Sequence, residues 1–324
     1  MLGIDLNSTR VKSALKKMFK EGATLDKLKI SLDEIEALKQ YGLKVESFTG
    51  TDFYYINTTS DANFIHKSDK SKIVITEKWL EISDLWVGSM FFDEASLRYM
   101  LKEATENKFY DVYIAGNLTF GHPRFLNNSI NINQELKTSF EQAKFLAGIF
   151  SDYPKLKYYA IHGSRDKSFE NHGELNPLLF ISKELSENGI DFTYIDSYTL
   201  NILINGGIKR MTSLEKNKNT YTKSYPIDLY TRNQLSNIGR NMIKDNTNYK
   251  MRCLQIGNVL FDSYDYRAKM YITTSSGFVF DTEGAMQSAT SIPSATFCIV
   301  DYQDTKILRF NSTVVRMPRS LKRN

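Results

Sequence analysis

The chain has 324 residues, 41% of them hydrophobic and 24% charged, so it can bury a sizeable core in one or two domains. Its two cysteines, Cys253 and Cys298, form no CxxC pair and predict neither a zinc site nor a disulfide framework. The sequence shows no signal peptide, and no apolar run approaches the ~20 residues that cross a bilayer. We expect a cytoplasmic protein without a membrane partner. The net charge of +5 permits nucleic acid as a partner without requiring it.

The first region, residues 1–58, shows helical periodicity followed by strand periodicity. Ser31 followed by Glu34 is a capping box and marks the start of a helix that ends at Gly42. The predicted elements are helices over residues 8–20, 24–28 and 31–42, then strands over residues 43–48 and 53–56. Three helices before a two-stranded ribbon resemble a winged helix.

The charges of this winged-helix-like module do not favour DNA. Asp33, Glu34 and Glu36 lie on the third helix, which in a winged helix usually reads DNA, and these acids would repel phosphates. Residues 1–58 hold nine basic and eight acidic side chains, so the module has no strong positive field. A protein-contact role is at least as well supported as a DNA-reading one.

A polar segment, residues 59–71, is predicted to be a linker to a second domain. The predicted strands and helices then alternate, which indicates βαβ units and a central sheet, and the chain becomes strand-rich after residue 195. The strands are expected at 72–75, 79–83, 111–115, 157–161, 192–195, 200–204, 252–256, 270–274, 296–302 and 306–310, and the helices at 92–107, 134–150 and 176–188. Residues 313–324 form a basic tail with Arg316, Arg319, Lys322 and Arg323.

Three predicted strand ends carry short polar signatures. They are Ser83-Asp84-Leu85-Trp86-Val87-Gly88-Ser89, Ala115-Gly116-Asn117-Leu118 and Ile161-His162-Gly163-Ser164-Arg165-Asp166. In order and spacing these resemble the motifs of calcineurin-like metallophosphoesterases, with most similarity to the Mre11-type exonuclease branch. The resemblance covers about residues 72–312 and is looser in the last third, where Gln255-Ile256-Gly257-Asn258-Val259-Leu260 stands where the family has a GHxH strand end. It implies an α/β fold, a four-layer β-sandwich flanked by helices.

That family uses two cations about 3.5–4 Å apart to activate water and to neutralise phosphate. This chain keeps two of the family's ligand positions as aspartates, Asp84 and Asp166. The other positions have changed: Trp86, Arg165, Asn258 and Leu260 stand in place of histidines, Asn117 in place of the bridging aspartate, and Ser164 in place of an asparagine. A neutral amide cannot offset the repulsion between two divalent cations.

The four histidines of the chain cannot replace the missing ligands. His66, His122, His162 and His172 all precede residue 173, whereas the family draws its later metal histidines from the second half of the domain. We therefore expect no catalytic residue and no metal cofactor. The alternative is a divergent active nuclease or phosphodiesterase with one weak Mn²⁺ or Mg²⁺ site at Asp84, Asn117 and Asp166.

Two residues at this locus have competing interpretations. Arg165 could bind a phosphate bidentately, but an ion pair with Asp166 or Asp84 is favoured. Trp86 is expected to fill the emptied pocket rather than to stack a base. His162 and His172 could share a metal, although separate structural roles are favoured because the two are ten positions apart in a loop.

Basic residues concentrate in residues 209–252, where ten basic and three acidic side chains give a net charge of +7. Tyrosines alternate with these cations, a pattern that suits backbone-directed or single-stranded nucleic-acid binding. A solvated helical insertion is an equally weighted alternative. The candidate contacts are Lys209, Arg210, Lys216, Lys218, Lys223, Arg232, Arg240, Lys244, Lys250 and Arg252.

Together these observations predict a catalytically inactive phosphoesterase-like protein that binds nucleic acid, or serves as an accessory factor, in DNA transactions. Besides the divergent nuclease, the second alternative is a protein-interaction scaffold or inhibitor that docks through residues 1–58. The composition, rich in Asn, Lys, Ile and Tyr, suggests an AT-rich and viral genome.

Overall fold

A computed structural model gives the architecture of the chain. It describes residues 4–5, 8–20, 23–40, 43, 45–47, 53–56, 64–67, 74–125, 131–204, 207–213, 250–257, 263–267, 270–274, 277–278, 293–303 and 306–316. The described elements form a small N-terminal module and a sandwich of two six-stranded sheets.

The N-terminal module contains three helices and a small antiparallel sheet. Its elements are α1 (Thr9–Lys20), β1 (Ala23–Thr24), α2 (Leu25–Leu28), α3 (Leu32–Gln40), β2 (Val45–Ser47) and β3 (Phe53–Ile56), with the sheet order β1-β3-β2. The capping box is confirmed, because Glu34 N donates to Ser31 Oγ at 3.2 Å and Ser31 N donates to Glu34 Oε2 at 2.9 Å. Val11, Leu15 and Leu38 are fully buried. The apolar core of this module is continuous with that of the sandwich.

The first sheet of the sandwich has the order β15-β14-β5-β6-β7-β8. Its strands are β5 (Ile75–Ile82), β6 (Asp111–Ala115), β7 (Lys157–Ile161), β8 (Phe192–Ile195), β14 (Ser294–Gln303) and β15 (Lys306–Arg316). Strands β5 to β8 are parallel, and β14 and β15 extend the sheet in antiparallel fashion. The carboxyl ends of β5, β6 and β7 therefore meet at one edge.

Helices α4 (Glu94–Glu106), α5 (Ser139–Ser151) and α7 (Pro177–Glu187) connect the parallel strands, and they pack on the outer face of this sheet. Alternation along the strands explains the two faces, since Leu80 and Ile82 pack toward the helices while Trp79 faces the second sheet. Two further short helical segments follow β7, namely α6 (Ser164–Lys167) and a 3-10 turn at Glu170–His172.

The second sheet has the order β12-β13-β11-β10-β9-β4. Its strands are β4 (Phe64–Lys67), β9 (Thr199–Ile204), β10 (Gly207–Ser213), β11 (Lys250–Gly257), β12 (Ser263–Arg267) and β13 (Met270–Thr274). The two sheets pack face to face around a second apolar cluster that includes Trp79, Tyr113 and Met211. The predicted α/β sandwich with flanking helices is confirmed, and the described residues supply three of its layers.

An ion pair is buried between the two sheets. Glu81 and Lys209 are 2% and 1% exposed, and the Lys209 ammonium donates to the Glu81 carboxylate. Trp79 Nε1 and Thr273 Oγ1 also donate to this carboxylate, and Lys209 Nζ lies 4.8 Å from the ring centroids of Trp79 and Tyr113. The buried charges are thus both paired and hydrogen-bonded, as burial requires.

Three predicted boundaries were wrong. The tail predicted from residue 313 overlaps β15, which continues to Arg316 and pairs with β14 there. The segment predicted as a linker, residues 59–71, contains β4, which pairs in parallel with β9. In place of the separate strands predicted at 72–75 and 79–83, the described residues form one unbroken strand, β5, from Ile75 to Ile82, and residues 72–73 lie outside the described residues. The first half of β5 pairs with β14 only and is partly exposed, so polar residues are tolerated there. These polar residues interrupt the apolar pattern from which the strand was predicted. Within the described residues, no helix is long and apolar enough to span a bilayer.

Candidate functional site

The three predicted signatures converge at the carboxyl edge of β5, β6 and β7. Asp84 follows β5, Asn117 follows β6, and Asp166 lies in α6 immediately after β7. All three side chains are fully buried. Backbone hydrogen bonds join the first two loops, since Asp84 N donates to Gly116 O at 3.0 Å and Trp86 N donates to Asn117 O at 3.2 Å. The structure therefore brings the three signatures together at one edge of the sheet.

Asn117 links the three signatures through both ends of its amide. Nδ2 donates to Asp84 Oδ1 at 2.8 Å, and Oδ1 accepts from the backbone N–H of Arg165 at 3.1 Å. A side chain at Gly163 would overlap Asn117 Oδ1, so glycine is required there by close approach. The hydrogen bonds fix the orientation of the amide, with its donor end toward the carboxylate.

The Asp166 carboxylate holds the loops together. It accepts from Gly163 N at 2.8 Å, from Thr119 N at 2.9 Å and from Thr119 Oγ1 at 2.7 Å. Burial raises the pKa of Asp166, and the hydrogen bonds from Gly163 and Thr119 act in the opposite direction. Thr119 escaped the sequence analysis because it lies one residue beyond the Asn117 signature and is not among the ligand types of that family.

Trp86 and Arg165 fill the space beside these carboxylates. The Arg165 guanidinium lies 3.8 Å from the Trp86 ring centroid and 4.8 Å from that of Phe120, and its Nη1 donates to Phe120 O at 2.8 Å. Trp86 packs with Phe120 and Ile132 and is 7% exposed. The stacked geometry gives a cation–π contact in a desolvated place. The ion pair of Arg165 with Asp84 or Asp166 remains a prediction.

The loops carry unusual backbone conformations. Asp84, Trp86 and Asn117 have φ values of 52°, 53° and 55°, in the left-handed region that side chains with a Cβ avoid. The cost is about 1–2 kcal/mol for Trp86 and smaller for Asp84 and Asn117, because Asp and Asn adopt this conformation more readily than other residues with a Cβ. Strain of this kind concentrates at functional sites, where the surrounding structure maintains it.

The donor set at this edge does not fit a two-metal centre. Asn117 directs N–H groups toward Asp84 Oδ1, and Asp166 accepts protein N–H and O–H donors. Ser164 is half-buried at the start of α6, while Asn258 and Leu260 lie outside the described residues. Across the part of the chain that the structure describes, no three His, Cys, Asp or Glu side chains are placed to hold a metal ion.

The histidines serve in other places. His162 Nδ1 lies 3.0 Å from Asp196 Oδ1 and 3.3 Å from the Tyr194 hydroxyl. His172 stacks on His122, with ring centroids 4.0 Å apart and planes at 4°. His162 and His172 thus belong to separate clusters, as favoured from the sequence.

The predicted nucleic-acid contacts require one correction. Lys209 is not a surface cation, because it is 1% exposed and paired with Glu81 between the sheets. Formal charge did not reveal this, although Lys209 and the buried Met211 are two residues apart in β10 and therefore lie on the same face of the strand. Arg210 is partly exposed, and its Nε donates to Asn201 Oδ1 at 2.7 Å. Lys250 and Arg252 lie in β11, and the other six predicted contacts fall outside the described residues.

Comparisons with solved structures show weak similarity over about three quarters of the chain. A novel archaeal phosphodiesterase has a TM-score of 0.39 and 9% identity, with 74% of this chain and 99% of that one covered. Vacuolar protein sorting 29 from Cryptosporidium parvum has a TM-score of 0.39 and 12% identity, with 75% and 99% covered. A predicted phosphoesterase from Streptococcus pneumoniae has a TM-score of 0.34 and 8% identity, with 75% and 99% covered.

No protein-family model matches the sequence, and no curated protein matches it. The three TM-scores are all below 0.5. The geometry of the site, and not these similarities, therefore carries the proposals below.

Proposed function

We propose that this chain is a catalytically inactive phosphoesterase-like protein that acts as a binding or accessory factor. The observation that carries the proposal is the Asn117 amide, which donates to Asp84 at 2.8 Å in the place where the resembling family has a bridging carboxylate. An N–H donor directed at a carboxylate oxygen occupies the position from which that oxygen would bind a cation. The same side chain accepts from Arg165 N at 3.1 Å, so reversing the amide would lose both hydrogen bonds.

The packing around the site supports the same conclusion. Trp86 and Arg165 stand at positions where the family that the motifs resemble has histidines, and both residues are at most 9% exposed. A desolvated guanidinium at this locus already supplies a positive charge, and a cation brought close to it would be repelled. The left-handed backbone at Asp84, Trp86 and Asn117 fits loops inherited from a functional site whose ligands were later replaced.

Hydrolysis of bis(p-nitrophenyl) phosphate with added Mn²⁺ tests the inactivity. We expect the rate with the full chain to equal the buffer rate, and Asp84→Ala to change nothing. Mn²⁺-dependent hydrolysis that Asp84→Ala abolishes would overturn the proposal and would favour the alternative, a divergent one-metal nuclease.

For the partner we propose nucleic acid, bound through the basic stretch without Lys209. Residues 210–252 retain nine basic and three acidic side chains. Because phosphate contacts release counterions, binding should weaken steeply with salt. A filter-binding series with single- and double-stranded DNA and RNA at about 50–200 mM salt tests this. Lys216→Gln/Lys218→Gln/Lys223→Gln is the loss variant, and Lys102→Gln/Lys108→Gln/Lys155→Gln is the control.

A protein partner is the second candidate. The described elements of residues 1–58 follow the order α1-β1-α2-α3-β2-β3, which supports a winged-helix-like module. Its third helix carries acids, and Leu32 at its start is 55% exposed. No binding to any nucleic acid at low salt would remove the first candidate partner and leave this one.

A further inference from the structure

A cleft of about 520 Å³ lies between α1 and the loops that follow β6 and α6. Thr9, Lys12, Ser13 and Lys16 line one side, and their spacing places them on a single face of α1. The opposite side is formed by residues 122–124 and by the end of the 3-10 turn. The volume falls within the range of small-molecule sites, about 300–1,000 Å³.

The charge of the cleft is positive. Lys12, Lys16 and Arg124 line it against one carboxylate, Glu174, which leaves a formal charge of +2 among the lining residues. Glu174 is already engaged, because it accepts from Lys12 Nζ at 3.1 Å and from Ser139 N at 2.8 Å. The side chains of Lys16 and Arg124, which line the cleft, are exposed to solvent.

Two stacked imidazoles line the cleft, and their hydrogen bonds define the tautomers. His122 Nδ1 accepts from Arg124 N at 3.1 Å, so the proton of the neutral ring is on Nε2. His172 Nδ1 lies 2.8 Å from Ser168 O and donates to it. Burial, followed by the neighbouring His172, lowers the pKa of His122 to about 4, although Glu174 opposes the shift and Arg124 and Lys12 add to it. His122 therefore remains a neutral N–H donor at physiological pH.

We propose that this cleft binds the dianionic phosphate of a small phosphate monoester. The net charge of +2, from Lys12, Lys16 and Arg124 against Glu174, matches the charge of a monoester dianion, and arginine binds phosphate bidentately. The hydroxyls of Thr9 and Ser13 and the His122 N–H supply neutral donors on the same cleft. A concave site of this volume, lined by three segments, suits a compact ligand better than a polymer backbone. The inference is independent of the proposed function, because none of these residues belongs to the candidate site.

The ligand would contact both the N-terminal module and the sandwich, so binding should stabilise their association. Lys12 and Glu174 already pair across this junction. We therefore expect the ligand to raise the melting temperature of the full chain.

Calorimetric titration of the full chain at neutral pH and constant ionic strength tests the proposal with AMP, inorganic phosphate, adenosine and a dT oligonucleotide without terminal phosphate. We expect AMP and inorganic phosphate to bind and adenosine not to bind. Lys16→Gln and Arg124→Gln should each weaken AMP binding about tenfold or more, while Lys155→Gln, an exposed lysine that does not line the cleft, should leave it unchanged. All three variants replace exposed side chains and should keep the wild-type melting temperature without ligand.

Three results would overturn the proposal. The first is absence of AMP and phosphate binding at millimolar concentration. The second is equal weakening by Lys155→Gln, which would show that only the net charge matters. The third is binding of the oligonucleotide, but not of AMP, in a manner sensitive to Lys16 and Arg124, which would assign the cleft to a phosphodiester polymer.

Discussion

Asn117 sits where two chemically different groups must be satisfied at once. Its Nδ2 faces a carboxylate oxygen of Asp84, and its Oδ1 faces the backbone N–H of Arg165. Only an amide offers a donor and an acceptor of this shape. An aspartate would satisfy the N–H but would set a second buried negative charge against Asp84.

Asn117→Asp should therefore destabilise the protein. We expect a loss of about 2–4 kcal/mol in the free energy of unfolding at neutral pH, because a buried carboxylate at position 117 would lie in direct contact with the buried Asp84 carboxylate. Urea unfolding followed by circular dichroism measures this. Asn188→Asp at the exposed end of α7 is the matched control and should cost less than about 1 kcal/mol. A stability equal to the wild type would contradict the assigned role of the amide.

Asp196 provides a pH-dependent prediction. Burial opposes its ionisation, but the hydrogen bonds and charges of His162 and Lys167 lower the pKa of Asp196 below its ordinary value. The ionised carboxylate thus stabilises the fold above the unfolded pKa, near ~3.9, and this stabilisation is lost as the pH falls through the folded pKa.

Asp196→Asn should be less stable than the wild type by about 1–2 kcal/mol at neutral pH, a modest loss because the side chain is 36% exposed. The difference should shrink below about pH 4, where the unfolded chain binds a proton at Asp196 while the folded chain still holds this carboxylate ionised. Urea unfolding at about pH 7, 5 and 3 measures it, with the exposed Asp191→Asn as control. A difference that stays constant across this range would show that the charge of Asp196 is not involved.

The residues of the candidate site were largely predictable, but their contacts were not. Polar residues at parallel strand ends placed Asp84, Asn117 and Asp166 together, because those ends share one edge of the sheet. The stacking of Arg165 on Trp86 depends on ring positions that sequence spacing does not define. Lys209 was misplaced because a basic stretch in sequence need not be a basic surface.

Among the secondary-structure elements, α1 is held against the 3-10 turn at a position that only glycine can occupy. Gly173 has a φ of +81°, and a Cβ there would overlap the Lys12 carbonyl oxygen. Gly189 has a comparable φ of +71° but open space around the same position. Comparing substitutions at Gly173 and Gly189 therefore separates the cost of backbone strain from the cost of steric overlap.

Gly173→Ala should be the more damaging of the two substitutions. Gly189→Ala should cost about 1–2 kcal/mol from the left-handed backbone alone. Gly173→Ala adds a clash with the backbone of α1, and we expect at least about 2 kcal/mol more, together with faster proteolysis of residues 1–58. Equal losses in thermal and urea unfolding would show that α1 does not pack as described.

Elements with strong local signals were predicted within a few residues. The helices α3 and α7 have capping residues and apolar periodicity, and their ends follow from these features. Strands β4, β10 and β12 were not predicted, since they lie in polar or glycine-flanked segments and owe their formation to pairing with neighbours that are distant in sequence. Whether such strands form depends on their tertiary contacts more than on their local sequence.

At the scale of the whole molecule, the Glu81–Lys209 pair joins the two sheets. Removing one partner leaves an uncompensated charge in the sandwich interior. Lys209→Met should therefore cost about 3–5 kcal/mol in the free energy of unfolding. Adding Glu81→Gln should recover at least half of this loss, because the glutamine removes the charge while its Oε1 can still accept from Trp79 or Thr273.

A double-mutant cycle in urea measures the coupling between the two residues. Lys209→Met should leave any nucleic-acid affinity of the folded protein unchanged, since the lysine is buried. A loss in the double variant equal to the sum of the two single losses would contradict the buried pair.

The carboxylate oxygens of Asp84 and Asp166 already accept hydrogen bonds from other groups of the protein. The proposed inactivity requires that these oxygens do not bind metal ions. Titration of the full chain with Mn²⁺, monitored by calorimetry and by metal analysis after gel filtration, tests it most directly. We expect no stoichiometric binding at micromolar Mn²⁺ and no change with Asp84→Ala. If the wild type retained two Mn²⁺ ions per chain and Asp84→Ala lost them, this result would contradict the proposed inactivity.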